Sequence, residues 1–555
     1  MEPARKQLEF LATENQSEID PKPAPFDVSP IVIQGKDEEQ KVVTLKDAAK
    51  AVKNEQEMTL RDAIRKYPQA IFSFAWFSAS LIMEGFDHSF ISGFISFPAF
   101  QKRYGVEVSP GKYEIPAEMQ SGISNGTQAG EIIGLLICGL FVDWFGSRWI
   151  MIACLLLMIC FAFLQFFTAN IDMYLGAEIL LGIPWGAFQS LTDAYAVEVC
   201  PSTLTPYLTM LVSMFWSIGY LIGTGVLRGF LKMTTSAAYK IPFALQWVFP
   251  IPLAIGIYFA PESPWWSIRK GRRADAEKSL RKLRSKKYIN EEELAETVVI
   301  MEYTHQVEIE MKLSSTYWDL FKGVNLRRTE ICVWTYSVQV WCTALVAYIV
   351  FFLEDAGLPT TASFDFGMSE YALAIVGVLV AFYFVPRVGR RTLLLYGTLF
   401  MVVTTFVIGL LGIPGTVSHP SLAYTIGSIL LVQYFVYFIP IGPVVFTIVA
   451  EIPSNILRSK TIVISRATYN TIALIKGQIL PHMITASSWN WGAKAGFFWG
   501  AFMLIILIWA YFVLPETKDR AFVELDILFK NNVAARDFKK TKVDLASETF
   551  IQSES

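Results

Sequence analysis

"PESPW", residues 261–265, comes back as "PETKD", residues 515–519, each at the end of an apolar run. The pair is not isolated. "DWFGSR" (143–148) has a counterpart in "RVGRR" (387–391), and "VEVCPSTL" (197–204) has one in "AEIPSNILR" (450–458). Signals that recur in matching places in both halves of a chain are an internal parallel repeat. The stretches between them are apolar. A helix that crosses a bilayer needs about 20 mostly apolar residues. Twelve stretches qualify: 70–98, 121–142, 149–169, 172–197, 206–230, 243–260, 331–353, 369–386, 392–414, 421–449, 459–485 and 494–514. Several exceed the minimum, so tilt or kinks are expected. Six lie before a charged connection at 267–330 and six after it. The spacing predicts an all-α membrane protein with twelve transmembrane helices in two pseudo-symmetric six-helix bundles. Parallel six-helix repeats are the layout of a rocking transporter, with its site near mid-membrane between the halves. The expected divisions are a cytosolic tail at 1–68, a first bundle at 69–266, a cytosolic helical linker at 267–330, a second bundle at 331–515 and a cytosolic tail at 516–555.

Composition agrees with this reading. The 555 residues are 53% hydrophobic and only 17% charged, where soluble domains carry closer to about 25% charge. A net charge of −2 with no basic groove motif argues against a nucleic-acid partner. The six cysteines show no CxxC or metal spacing and read as small buried hydrophobes. No Walker loop, zinc spacing or nucleophile–His–Asp set stands out, so neither an enzyme nor a metal or cofactor site is expected. Residues 1–68 are polar and read as partly disordered, with a helix near "LKDAAKAVKNEQEMTLRDAIRKY" and no cleavable signal peptide.

Loop charge sets the expected orientation. Arg148, the "RVGRR" arginines, Arg458, Lys460 and the run "RKGRRADAEKSLRKLRSKK" all fall in even-numbered connections. "EDAGLPTTASFDFGMSE" and "GIPGTVSHP" fall in odd-numbered ones and contain neither Lys nor Arg. The positive-inside rule places the even-numbered connections and both termini in the cytosol. The first odd-numbered connection, "QKRYGVEVSPGKYEIPAEMQ", carries a few basic residues and is a mild exception.

Charge also appears inside the spans. In "LIMEGFDHSFISGF" (81–94), Glu84, Asp87 and His88 have i, i+3, i+4 spacing, which reads as one stripe of a helix. An ionised residue at mid-span costs about 2.5–3.5 kcal/mol on insertion scales, so the stripe is expected to face the bundle interior or a water-filled cavity. Glu131 and Glu178 add acid from the second and fourth spans, and Arg466 and Lys476 add base from the eleventh. Clustered acid at low dielectric favours proton binding. Tyr220, Gln339, Tyr348, Phe446 and Asn470 offer flat faces and amides to a polar substrate. Glu198, Glu262, Glu451 and Glu516 have Arg148, Arg390, Arg391 and Arg458 within reach to form a cytosolic gate. Gly and Pro in "GIPWGAF" and "IPIGPVV" are expected to loosen spans four and ten.

The set "GLFVDWFGSR", "LQWVFP", "PESPWW", "VGRR", "GPVVFTIVAEIP", "NILRSK" and "PETKDRAFVELDILF" resembles the sugar-porter branch of the major facilitator superfamily, from about residue 68 to about 530. Within that branch, "LLGIPWGAFQSLTDAYAVEVCP", "PESPWWSIRKGR" and "FDHSFISGFISFPAFQKRYG" are most similar to the fungal α-glucoside (maltose-type) proton symporters. The resemblance implies import of a disaccharide with a proton by a monomer in the plasma membrane. It implies that Asp87 carries the proton and that the cytosolic Glu and Arg residues form the gate. Glu178 stands where several of these porters have an arginine partner, so Arg466 is the expected counter-ion of Asp87, Glu84, Glu131 and Glu178. The chain also departs from the pattern. Trp144 and Ser147 replace basic residues of the first motif, Pro386 holds the slot of an acid, and Thr205 stands for an arginine. Tyr220, a lone Gln339 and Phe446 alter the sugar positions. A hexose or polyol facilitator of the same fold is the alternative, and a non-transporting sugar sensor a more distant one.

Overall fold

Proline shapes the ends and breaks of the helices, because it lacks an N–H and presets φ for a first helical turn. Pro68 opens the first span, Pro68–Ile95, and Thr205–Phe230 and Gly442–Glu451 also carry Pro in their first two positions. The computed structural model describes residues 31–33, 41–43, 58–201, 204–314, 316–346, 349–355, 357–414, 420–454, 457–485, 488–518, 520, 522–544 and 549–551. Most of the tail at 1–68, and Tyr348, lie outside them. Of the expected tail helix, the part seen is Leu60–Lys66, capped by Thr59.

Spans one to five are Pro68–Ile95, Ala117–Phe145, Ser147–Phe166, Ile171–Val199 and Thr205–Phe230. The sixth is Ala237–Leu245 and Pro250–Phe259, joined through a 3₁₀ turn at Gln246–Val248. The seventh breaks after Gly323–Cys342 and resumes at Ile349–Asp355. The eighth and ninth are Thr360–Phe384 and Arg390–Leu411. The tenth, Pro420–Tyr437 and Gly442–Glu451, breaks around Pro440, and Arg458–Ile484 and Ala495–Val513 complete the set. The fold is therefore all-α, with twelve spans in two six-helix halves. Among the described residues, small strands form three antiparallel pairs: Ile31–Ile33 with Lys41–Val43, Val106–Ser109 with Lys112–Glu114, and Lys542–Asp544 with Thr549–Ile551.

Eight of these spans are long and apolar enough to cross a membrane on those grounds alone. Among the described residues, spans one, four, seven and eleven do not meet this measure of length and composition, and each carries several ionisable or amide side chains. That polarity requires them to face inward, where other helices or a cavity can satisfy it.

Small residues set the closest crossings. Spans two and four meet along Gly130 and Gly134 on one side and Gly182 and Gly186 on the other, where a Cβ on either helix would overlap the other's backbone. Glycine at i, i+4 spacing lets membrane helices touch backbone to backbone. This seam carries Glu131 and Glu178, both buried.

At one end of the molecule, here called the connector end, Pro264–Arg269, Arg273–Leu283 and Glu291–Ser314 pack around Ile268, Ala276, Leu280, Leu294, Val298 and Met301. Lys66 Nζ meets Glu293 Oε1 at 2.5 Å and ties Leu60–Lys66 to these helices. Phe522–Lys530 docks at the same end, where Asp526 pairs with Arg328 at 2.6 Å. At the opposite end the two halves clasp each other. Asn125 Nδ2 donates to Gln478 Oε1 at 2.9 Å, Ser121 Oγ donates to the Gln478 carbonyl at 3.3 Å, and Arg228 pairs with Asp365 at 2.8 Å.

Candidate functional site

A cavity of about 250 Å³ lies between the halves. Its walls come from spans one, two, four and five of the first half and seven, eight, ten and eleven of the second. Spans three, six, nine and twelve stand behind them. Among the residues singled out in the sequence, Glu131, Arg466, Tyr220, Gln339, Phe446, His88 and Lys476 line this cavity. It also brings in Gln189, Asp193, Glu370, Tyr371, Tyr434, Tyr437 and Tyr469, which are not among the candidates the sequence offers.

The expected acid stripe of the first span divides. Successive helical residues turn by about 100°, so Asp87 and His88 point in different directions. His88 faces the cavity, and its Nε2 approaches Glu131 Oε1 at 3.2 Å as an ion-pair contact. Its Nδ1 lies 3.2 Å from the Glu84 carbonyl, which fixes the ring orientation. Glu84 is fully buried beside the cavity and accepts a hydrogen bond from Gln189 Nε2 at 2.7 Å. The same Gln189 accepts from Arg466 Nη2 through Oε1. One neutral amide thus joins an acid of the first span to a base of the eleventh, across the two halves. The Arg466 guanidinium also lies over the Tyr469 ring, 4.8 Å from its centroid.

Asp87 points away from the cavity into the first half. Gln246 Nε2 from the sixth span and Gln165 Nε2 from the third both donate to its Oδ1, the latter at 3.3 Å. Gln165 Nε2 also reaches Glu178 Oε1 at 2.8 Å, and Thr127 Oγ1 donates to Glu178 Oε2 at 3.3 Å. Asp87 Oδ2 and Glu84 Oε2 have no hydrogen-bond partner among the described residues. Five spans thus feed one buried polar network behind the cavity wall. Arg466 was expected as the counter-ion of the acid cluster around Asp87. Its hydrogen bond instead leads through Gln189 to Glu84, while the partners of Asp87 are amides.

Asn470 departs from its expected place. Arg466, Tyr469, Ala473 and Lys476 form the cavity face of the eleventh span, and Asn470 is fully buried beside it, outside the lining. Tyr348 falls outside the described residues. The signals that would have revealed Gln189 and Asp193 are their i, i+4 spacing within the apolar "GAFQSLTDAYA". Glu370 would have shown as a carboxylate at the edge of span eight.

At the connector end the expected gate residues find partners within their own half or, for Glu198, on the connector helix Pro264–Arg269. Glu262 accepts from the backbone N–H of Ser147 at 3.1 Å and of Arg148 at 3.3 Å, at the start of span three. Glu516 repeats this in the second half, accepting from the Arg390 N–H at 2.7 Å at the start of span nine. The first N–H groups of a helix lack intrahelical partners and carry partial positive charge, which explains the carboxylates. Burial raises the Glu262 carboxyl above its ordinary value, against the pull of these N–H donors. Gly146, at φ 87°, and Gly389 leave room for the two carboxylates. Glu198 pairs with Arg269 at 2.7 Å and Arg390 with Glu451 at 3.2 Å. Arg391 Nη2 donates to the Tyr511 carbonyl at 2.6 Å, and Arg458 opens span eleven. The pairs "DWFGSR"/"PESPW" and "RVGRR"/"PETKD" are one structural device built twice.

Two six-helix halves around a central polar cavity define a secondary transporter. The chain belongs to the sugar (and other) transporter family, whose model matches residues 73–529. It is 40% identical over 507 residues to the maltose permease MAL31 of Saccharomyces cerevisiae, covering 90% of this chain and 82% of that protein. It is 39% identical over 526 residues to a general alpha-glucoside permease of the same yeast, covering 92% and 85%. Its fold is similar to that of the proton:xylose symporter XylE bound to 6-bromo-6-deoxy-D-glucose, with a TM-score of 0.67 at 19% identity, over 83% of this chain and 100% of that one.

Proposed function

We propose that the protein imports an α-glucoside of the maltose type together with a proton, by exposing the central cavity to each side of the membrane in turn. The carrying observation is the bridge Glu84–Gln189–Arg466 beside the His88–Glu131 pair in the cavity wall. Burying an ionised group costs several kcal/mol unless it is paired. Acid and base joined across the halves therefore make the charge state of the cavity depend on how the halves meet. A proton on Glu84 or Glu131 weakens the hold on Arg466 and frees the eleventh span to move. Asp87 and Glu178, in the network behind, exchange that proton with the cavity through the adjacent Glu84 and His88. Tyr220, Gln339 and Phe446 take the sugar.

One charge moving through 100 mV is worth about 2.3 kcal/mol. Tenfold in concentration is worth about 1.4 kcal/mol. A proton therefore supports accumulation of roughly fortyfold per 100 mV, which accounts for the placement of costly charge. In this reading 69–266 and 331–515 move as two bodies, the connector end is cytosolic with both termini, and the protein works as a monomer in the plasma membrane.

The test is uptake of labelled maltose, sucrose, trehalose, turanose and glucose in a yeast lacking its own transporters, with external pH recorded. Alkalinisation of the medium on adding an α-glucoside is expected, and uptake without it indicates a facilitator. Asp87→Asn is expected to abolish uphill accumulation while sparing exchange. Undiminished accumulation in that variant removes Asp87 from the proton path.

A further inference from the structure

The cavity holds a second polar cluster that the proton network does not use. Glu370, on span eight, lines it, is 1% exposed, and has no hydrogen-bond partner for either carboxylate oxygen among the described residues. A buried carboxylate without a partner is costly, so a site that keeps one has a ligand group to receive. Its surroundings on the wall are aromatic. Tyr371 stacks on Tyr220 at 4.7 Å and 16°, and Tyr434 meets Tyr371 edge-on at 6.0 Å. Gln339, on span seven, faces the same cavity with its Nε2 also unpartnered among the described residues. Tyr220 is shared by the two clusters, since its ring stacks on Tyr371 and also lies 6.1 Å from the His88 ring.

We infer that Glu370 is a specificity-determining residue that accepts hydrogen bonds from two neighbouring hydroxyls on the second ring of a disaccharide. The inference rests on the sugar-transport reading above. Sugar hydroxyls are donors, and a carboxylate has two oxygens that accept a vicinal pair at once. The tyrosine faces supply flat apolar surface for a pyranose ring. A single ring engages one cluster, whereas two linked rings span Tyr220 and reach both the His88–Glu131 side and Glu370. A site with a built acceptor discriminates strongly against a substrate without the matching donors.

The experiment compares the full-length wild type with Glu370→Ala and Glu370→Gln, each normalised to its amount in the membrane. It reads KM and kcat for maltose and for glucose, and protons moved per sugar. Glu370→Ala is expected to raise KM for maltose by about tenfold or more, with kcat and the proton-to-sugar ratio kept and any glucose uptake unchanged. Glu370→Gln, which keeps the shape and one acceptor, is expected to fall between, and it carries the test alone if the alanine variant does not reach the membrane. An unchanged KM for maltose in both variants overturns the inference. So does an altered proton-to-sugar ratio at unchanged KM, which makes Glu370 a proton site. If the wild type itself transports no α-glucoside, the sugar-transport reading has failed, and that outcome is visible before any variant is compared.

Discussion

At the scale of single residues, the deciding atoms belong to amides. Glu84, Asp87, Glu131, Glu178 and Arg466 were legible in the sequence because charge inside an apolar span is conspicuous. Gln165, Gln189 and Gln246 carry no charge, so nothing in composition marked them, yet they join the charges to one another. The direction of each acid was also hidden, since i, i+3, i+4 spacing still spreads three side chains over a wide arc of the helix. Gln189 makes the sharpest test. Gln189→Leu removes the donor to Glu84 and the acceptor for Arg466, leaving two charges without their bridge. Each orphaned buried group costs about 1–3 kcal/mol, and more when charged. The expected result is loss of uphill accumulation and of sugar-induced alkalinisation, with protein still present in the membrane. Accumulation equal to wild type, measured with and without a protonophore, removes the bridge from the coupling path.

At the scale of elements, the order of the twelve spans and the repeated end signals were readable in the sequence, although spans one, four, seven and eleven fall short on helix length and apolar composition alone. The partners of those signals were not. The sequence pairs acidic and basic residues that lie far apart in the chain, without saying which helix end is nearest. In the structure each glutamate after the last span of a half turns back to the N-terminus of that half's third helix. Glu262 serves Ser147 and Arg148, and Glu516 serves Arg390. Loss of a capping acceptor costs about 0.5–2 kcal/mol. Glu262→Ala and Glu516→Ala are therefore each expected to lower the thermal midpoint in detergent by about 2 °C or more. The two residues lie in different halves and share no partner, so the double variant should show the sum. Gly389→Ala is expected to act like Glu516→Ala, because its Cβ would occupy the place of that carboxylate. Midpoints unchanged in all of these variants would mean the two carboxylates do not stabilise the helix starts. The breaks in spans six, seven and ten were less legible. Proline marked spans six and ten, but no proline stands at the break after Cys342.

At the scale of the whole molecule, polarity sorts the helices. The spans that hydropathy alone does not select, one, four, seven and eleven, all line the cavity, and those that never touch it are all apolar. The way the halves meet at the end away from the connector helices was not legible, because it depends on small contacts with no sequence signature. Gly477 is the clearest case. It lies on span eleven against the Asn125 side chain of span two, next to the hydrogen bond between Asn125 and Gln478. A large side chain there has nowhere to go while this end is closed. Gly477→Trp should therefore wedge spans two and eleven apart and hold the protein open at that end. A variant without the six native cysteines and with Gln128→Cys reports the change, since Gln128 lines the cavity. With Gly477→Trp added, labelling by an impermeant thiol reagent from the side opposite the connector helices should rise severalfold, and net uptake should fall to background. Sugar binding should remain at the level of the Gln128→Cys parent, because Tyr220, Gln339 and Phe446 are untouched. If labelling from that side does not change while uptake stops, the tryptophan has only disturbed packing. The clasp between spans two and eleven is then not the element that opens and closes.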